Sequence, residues 1–127
     1  MTHRSKLGVC VIDCRTDDLG DAVRFWSGLL GVEGEIDPDG KYAVFEGQRA
    51  PRVLLQAVDH EPRVHLDIET DDLEAERARL AALGATEVAR IRDWIVMEAP
   101  TGHRFCLVPP QGEDFPGATA ARWEVTP

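Results

Sequence analysis

Side chains able to do acid–base or ligand chemistry stand at alternating positions in two short stretches of this chain: Asp13 and Arg15 in one, His65, Asp67 and Glu69 in the other. Alternation at a period of two places each set on one face of a strand. Asp13 or His65 so placed can serve as a general base, and Arg15 can steady a developing negative charge. Two further donors, Gln56 and Cys106, sit in later strand-like runs among core-type residues such as Leu55, Phe105 and Leu107. Each residue also has a structural reading. Asp13 and Asp67 can bond backbone groups near a helix start, His65 can be a satisfied structural histidine, and Cys106 can be a small buried apolar residue.

The stretches that carry these groups are copies of one another. Asp13–Leu19 and Asp67–Leu73 share the pattern D-x-x-T-D-D-L, and each is followed by a helical segment ending in Leu-Gly, at Leu30-Gly31 and Leu83-Gly84. The repeat therefore extends over whole halves of the chain. In the first helix Leu19, Ala22, Val23, Trp26, Leu29 and Leu30 form an apolar stripe, an aspartate is available as N-cap, and Gly31 supplies the stop. The second has a thinner stripe of Leu73, Leu80 and Leu83, with Glu74, Glu76, Arg77 and Arg79 expected on its wet side.

Strand patterns fill the rest: 7–15, a hairpin through 37–40 into 42–46, and 53–58, then 64–69, 86–91, 94–98 and 105–108. Each half reads as βαβββ. The tail, 109–127, is rich in Pro, Gly and Ala and is expected to be irregular, either loose or draped over the domain, with Trp123 arguing for draping. In the first strand of each half, Cys10, Ile12 and Cys14, like Val64, Leu66 and Ile68, should pack under the helices. Val11, Asp13 and Arg15, like His65, Asp67 and Glu69, face the other way, into a cleft if the halves curve together or into plain solvent.

At 127 residues the chain has room for one domain (1–127), with module one about 7–58 and module two about 63–108. No apolar run approaches the roughly 20 residues of a membrane span, and the polar start, 1–6, lacks the apolar stretch of a secretory signal. A cytoplasmic location is expected. The cysteines agree, since Cys10 and Cys14 would lie about 13 Å apart along a strand, too far for a disulfide. A net charge of -9, from 23 acidic against 14 basic residues, repels phosphate backbones, so neither nucleic acid nor membrane is an expected partner.

Three segments carry a wider likeness: D-D-L-G-D-A-V-R-F-W-S-G-L-L-G at 17–31, H-L-D-I-E-T-D-D-L at 65–73 and P-T-G-H-R-F-C-L-V at 100–108. They resemble the vicinal oxygen chelate superfamily, which includes glyoxalases, bleomycin-resistance proteins and extradiol dioxygenases, and look most like its glyoxalase-like branch. The resemblance implies an α+β fold of two βαβββ modules whose mixed sheets form a curved cup with helices outside. In enzymatic members it also implies a divalent metal bound by one residue near the start of each module and one in each final strand. Those positions match Val11, Gln56, His65 and Cys106 here, of which only His65 is a standard ligand.

Three functional readings follow. The first is a small-molecule binder without the complete metal site, with Asp13, Arg15, Gln56, His65, Glu69, Trp94 and Cys106 as ligand-binding residues. Its ligand would be cationic or basic, and Trp26, Trp94, Tyr42 or Phe45 would stack on flat rings if they face inward. No cofactor is then expected. The second is a metal-dependent lyase, isomerase or dioxygenase with a divalent ion on His65, Gln56 and Cys106, helped by Asp13, a set suited to zinc. The third is a metal-free enzyme whose catalytic residue is Asp13 or His65. The resemblance also implies a homodimer.

Overall fold

Strand-period alternation and two helical stripes settle into eleven elements in the computed structural model, which describes residues 2–48, 51–112, 115–117 and 120–124. In chain order these are β1 (Thr2–Arg15), α1 (Gly20–Leu30), β2 (Gly34–Ile36), β3 (Tyr42–Phe45), β4 (Arg52–Val58), β5 (Arg63–Thr70), α2 (Leu73–Ala82), β6 (Thr86–Ile91), β7 (Trp94–Glu98), β8 (Arg104–Val108) and β9 (Ala121–Glu124). The order is βαβββ twice, the α+β arrangement expected from the repeat, with β9 added. Two compact units divide the chain, one Val9–His65 and the other Met1–Gly8 with Leu66–Pro127, so the boundaries fall within β1 and β5.

In the unit Val9–His65, β1 runs parallel to β4, and β3 and β2 follow antiparallel. A parallel neighbour requires a crossover, which α1 supplies. The core under α1 is Leu19, Ala43, Phe45 and Leu55, with Ile12, Cys14, Ala22, Val23, Trp26 and Leu30 packed against it. The expected inward face of β1 is thus the helix-covered one. The turn into β3 forms as its residues demand. Asp37 accepts the Lys41 amide at 2.9 Å, and Gly40 takes φ +72°, where a side chain would be strained.

The other unit repeats the plan, with β5 parallel to β8 and then β7 and β6 antiparallel. Its core is Ala85, Ile95, Met97 and Leu107, joined by Ile68, Leu73, Leu80 and Phe105. The repeated threonine shapes the turn before each helix. Thr16 Oγ1 accepts the Asp18 amide at 3.0 Å, and Thr70 Oγ1 accepts that of Asp72 at 3.2 Å. Asp72 then caps α2 by accepting the Ala75 amide. In the first copy the expected aspartate cap does not form, because α1 starts one residue later relative to the repeat. Leu19 is its N-cap, and Asp18 instead accepts the Gly20 amide at 2.9 Å.

Leu29 and Leu83, both expected in the stripes, are 59% and 67% exposed. Each lies ten residues past the first leucine of its stripe, about 80° round the helix at 100° per residue, at the edge of the buried arc. Glu76, expected on the wet side, is 1% exposed. It holds the same place in the repeat as Ala22 of α1, on the inward arc, and survives there by pairing. His3 Nε2 lies 2.8 Å from its Oε1, and Arg79 donates to both its oxygens at 2.8 Å.

The tail also departs from expectation. Residues 121–124 are a strand, β9, antiparallel to the first residues of β1, whose strand begins at Thr2 rather than Leu7. Trp123 fastens it: the indole donates to Ser5 Oγ at 2.9 Å, and the Arg79 guanidinium lies 3.8 Å from the ring centre. The positions 113–114, 118–119 and 125–127 of the tail lie outside the described residues.

Candidate functional site

Parallel pairing of β1 with β4 sets Asp13 beside Gln56, and antiparallel pairing of β4 with β3 sets Gln56 beside Tyr42. Lateral neighbours in a sheet share a face, so the three form a polar row on the face opposite α1. Asp13 is not a solvated residue, being 2% exposed. Its Oδ2 lies 3.0 Å from Nδ1 of His65, accepts Nε–H of Arg63 at 3.4 Å and is 3.9 Å from Nε2 of His60. Its Oδ1 has no hydrogen-bond partner among the described residues. Asp13 therefore does not serve the backbone at the helix start. Its charge is felt next door, where burial first and Asp13 second push the Cys14 thiol up from its ordinary value.

An ionised carboxylate against Nδ1 holds the imidazole in one orientation and favours the proton on that nitrogen. Nε2 is then the basic or ligating atom, the arrangement used both for general bases and for metal-bound histidines. Arg63 and His60 do not stand out in the sequence. A signal for Arg63 exists, since it lies two residues before His65 and so shares its face of β5, whereas His60 comes from an irregular turn with no periodicity to read.

A cleft of about 690 Å³ opens at the carboxyl ends of β1 and β4, lined among others by Arg15, Asp39, Lys41, Gln56 and His60. His60 links it to Asp13. The amide of Gln56 donates to Tyr42 Oη at 3.2 Å. Arg15 points outward, more than half exposed, and pairs with Glu61 at 2.7 Å. That geometry suits a charge at the cleft rim better than one against the reacting atoms.

Along β5, His65 and Asp67 project to one face, and Asp67 pairs across to Cys106 of β8. The sequence marks Asp67 only as a polar-face residue, although the H-x-D spacing on a strand is what sets it beside His65. Trp94 begins β7, two residues before Val96, the lateral neighbour of Cys106, and so shares that face. Glu69 lies 1% exposed against Gly8 and accepts the Gln111 amide at 3.0 Å, so its place is in the packing of the tail. Phe45 and Trp26 belong to the core beneath α1, not to the polar face. No disulfide joins Cys10, Cys14 or Cys106.

The four positions that the resemblance assigns to a metal do not make a donor set. Val11 is 2% exposed and offers only carbon, and the Gln56 side chain already engages Tyr42.

A family model described as a glyoxalase-like domain matches residues 9–108. None of the curated proteins matches the chain. Among solved structures, methylmalonyl-CoA epimerase from Mycobacterium tuberculosis is similar over 84% of this chain and 89% of its own, with TM-score 0.59 and 21% identity. A Mn(II)-bound glyoxalase from Novosphingobium aromaticivorans is similar over 86% of this chain, which spans 40% of that one, with TM-score 0.59 and 19% identity. The 2,2',3-trihydroxybiphenyl 1,2-dioxygenase from Sphingomonas wittichii likewise matches over 85% of this chain and 41% of its own, with TM-score 0.59 and 20% identity. At these identities the likeness is one of fold. No helix is long and apolar enough to cross a membrane among the described residues.

Proposed function

Since the chain belongs to the glyoxalase-like domain family, we propose that it uses the family's scaffold to bind a small molecule bearing a protonated amine or other hydrogen-bond donor, which Asp13 receives without a metal. The supporting observation is the Asp13 carboxylate, 2% exposed, with Oδ2 bound by His65 and Arg63 and Oδ1 unpartnered among the described residues. Leaving such an acceptor unsatisfied costs about 1–3 kcal/mol, which a ligand donor would recover. The adjoining cleft is within the range of small-molecule sites, and the chain's acidic excess favours cationic ligands. A thermal-shift ligand screen run in chelator tests this. Basic compounds should raise the melting temperature of the native chain and not of Asp13→Asn, and a set of hits that all require added metal would overturn the reading.

A second reading, a metal-dependent enzyme, rests on the pairing of Asp67 with Cys106 across β5 and β8, a carboxylate and a thiol of the kind that hold zinc or another borderline-soft ion. Metal analysis of purified protein separates the two, because this reading requires a bound transition metal and a stabilisation by it that Cys106→Ala abolishes. The assembly we propose is a homodimer, contradicted by a monomer mass in light scattering at micromolar concentration. Cysteines outside any disulfide suit a reducing compartment such as the cytoplasm.

A further inference from the structure

The antiparallel ladder of β1 and β9 sets Arg4 directly opposite Arg122. Like charges facing each other across a ladder destabilise it unless something neutralises them. Arg4 has its counterion: Asp71 accepts its backbone N–H at 2.8 Å on one oxygen and its Nε–H at 3.2 Å on the other. Both oxygens of that carboxylate are thereby engaged, and its charge is matched by one guanidinium. Arg122 has no acidic partner among the described residues, in a chain whose acids outnumber its bases by nine. Beside the two arginines is a cavity of about 300 Å³, lined by Thr2, His3, Arg4, Asp71 and Arg122.

We propose that this cavity is a seat for a small oxyanion of the phosphate class, either the free ion or the phosphoryl group of a monoester. Guanidinium groups present planar forks that match phosphate oxygens, and the Thr2 hydroxyl is a further donor on the lining. Asp71, satisfied by Arg4, keeps that arginine in place. A cavity of this size holds a phosphate or a small phosphomonoester. The seat shares no residue with the Asp13 cleft, so its test is independent of the function proposed there.

The experiment is a titration of the whole isotopically labelled chain with inorganic phosphate, followed by amide NMR at constant ionic strength set with chloride. Saturable shifts should concentrate at residues 2–5, 71 and 121–124. Arg122→Gln should weaken binding about tenfold or more, and Arg122→Lys should fall between the two because it keeps the charge and loses the fork. Acetate and a simple phosphomonoester serve as further arms: tighter binding of the monoester assigns the seat to an esterified ligand, and equal binding assigns it to the free ion. Shifts that do not saturate, that acetate reproduces at the same concentration, or that persist unchanged in Arg122→Gln would overturn the proposal.

Discussion

Oδ2 of Asp13 on β1 lies 3.0 Å from Nδ1 of His65 on β5, a contact made between residues 52 apart in the chain. It joins the first strand of one repeat to that of the other, at positions offset by two within the repeated motif. Val11 is the residue that matches His65, and with a side chain lacking donors it leaves Asp13 as the nearest polar group on its own strand.

Asp13→Asn tests what that contact does. The amide keeps the shape but loses the charge shared by His65, Arg63 and His60, and it brings an NH2 group that cannot accept. Unfolding in urea should show a loss of about 1–3 kcal/mol, and affinity for a basic ligand should drop about ten- to a hundredfold. A variant with native stability and native affinity would show that the carboxylate has no part in either.

Much of this arrangement is legible in the sequence because it rests on periodicity. Asp13 and Arg15 alternate with Ile12 and Cys14, so which residues face α1 follows from the register of β1 alone. Gln56 and Tyr42 cannot be joined to Asp13 in that way, since lateral pairing depends on which strands become neighbours. His60 enters from a turn with no repeating pattern. The four residues of β9 stay hidden for a similar reason: with Ala121 and Trp123 as its only apolar members, the segment has too little alternation to announce a strand. Glu76 is readable by superposing the repeats, because the equivalent Ala22 lies on the core side of α1.

The pH dependence of stability should carry the mark of Glu76. Burial by itself raises its pKa, but donors from Arg79, His3 and Ser5 outweigh that and hold the carboxyl below its ordinary value. A carboxyl lowered in the folded state contributes stability above its unfolded pKa, and that contribution is lost as pH falls through the folded value. Urea unfolding of the native chain and of Glu76→Gln should therefore differ at pH 7, by about 1–3 kcal/mol, and converge as pH is lowered below about 4. A difference independent of pH would mean that the charge of Glu76 contributes nothing.

Gly8 and Glu69 offer a cleaner steric test. A Cβ on Gly8 would stand 2.2 Å from Oε2 of Glu69, well inside contact distance, and Glu69 is buried and fixed by the Gln111 amide. Gly8→Ala should destabilise the chain by about 1–3 kcal/mol through overpacking. In a Glu69→Ala background the same change should cost much less, and the shortfall in the double-mutant cycle measures the clash. Additive effects would place the two side chains out of contact.

The leucines of the helix-covered core make the last prediction, because they separate pattern from geometry. Leu29 reads as part of the α1 stripe, yet its place about 80° from Leu19 leaves it 59% exposed, while Leu55 on β4 is 0% exposed. Truncating a buried leucine loses transfer free energy and leaves a cavity, so Leu55→Ala should cost about 2–5 kcal/mol. Truncating an exposed one on a helix exchanges little packing for a better helix former, so Leu29→Ala should stay within about 0.5 kcal/mol of the native chain. Denaturation curves of the two variants decide the matter. If Leu29→Ala approached the cost of Leu55→Ala at concentrations where the chain is monomeric, α1 would have to be rotated on its sheet, and the polar face opposite it would be in question as well.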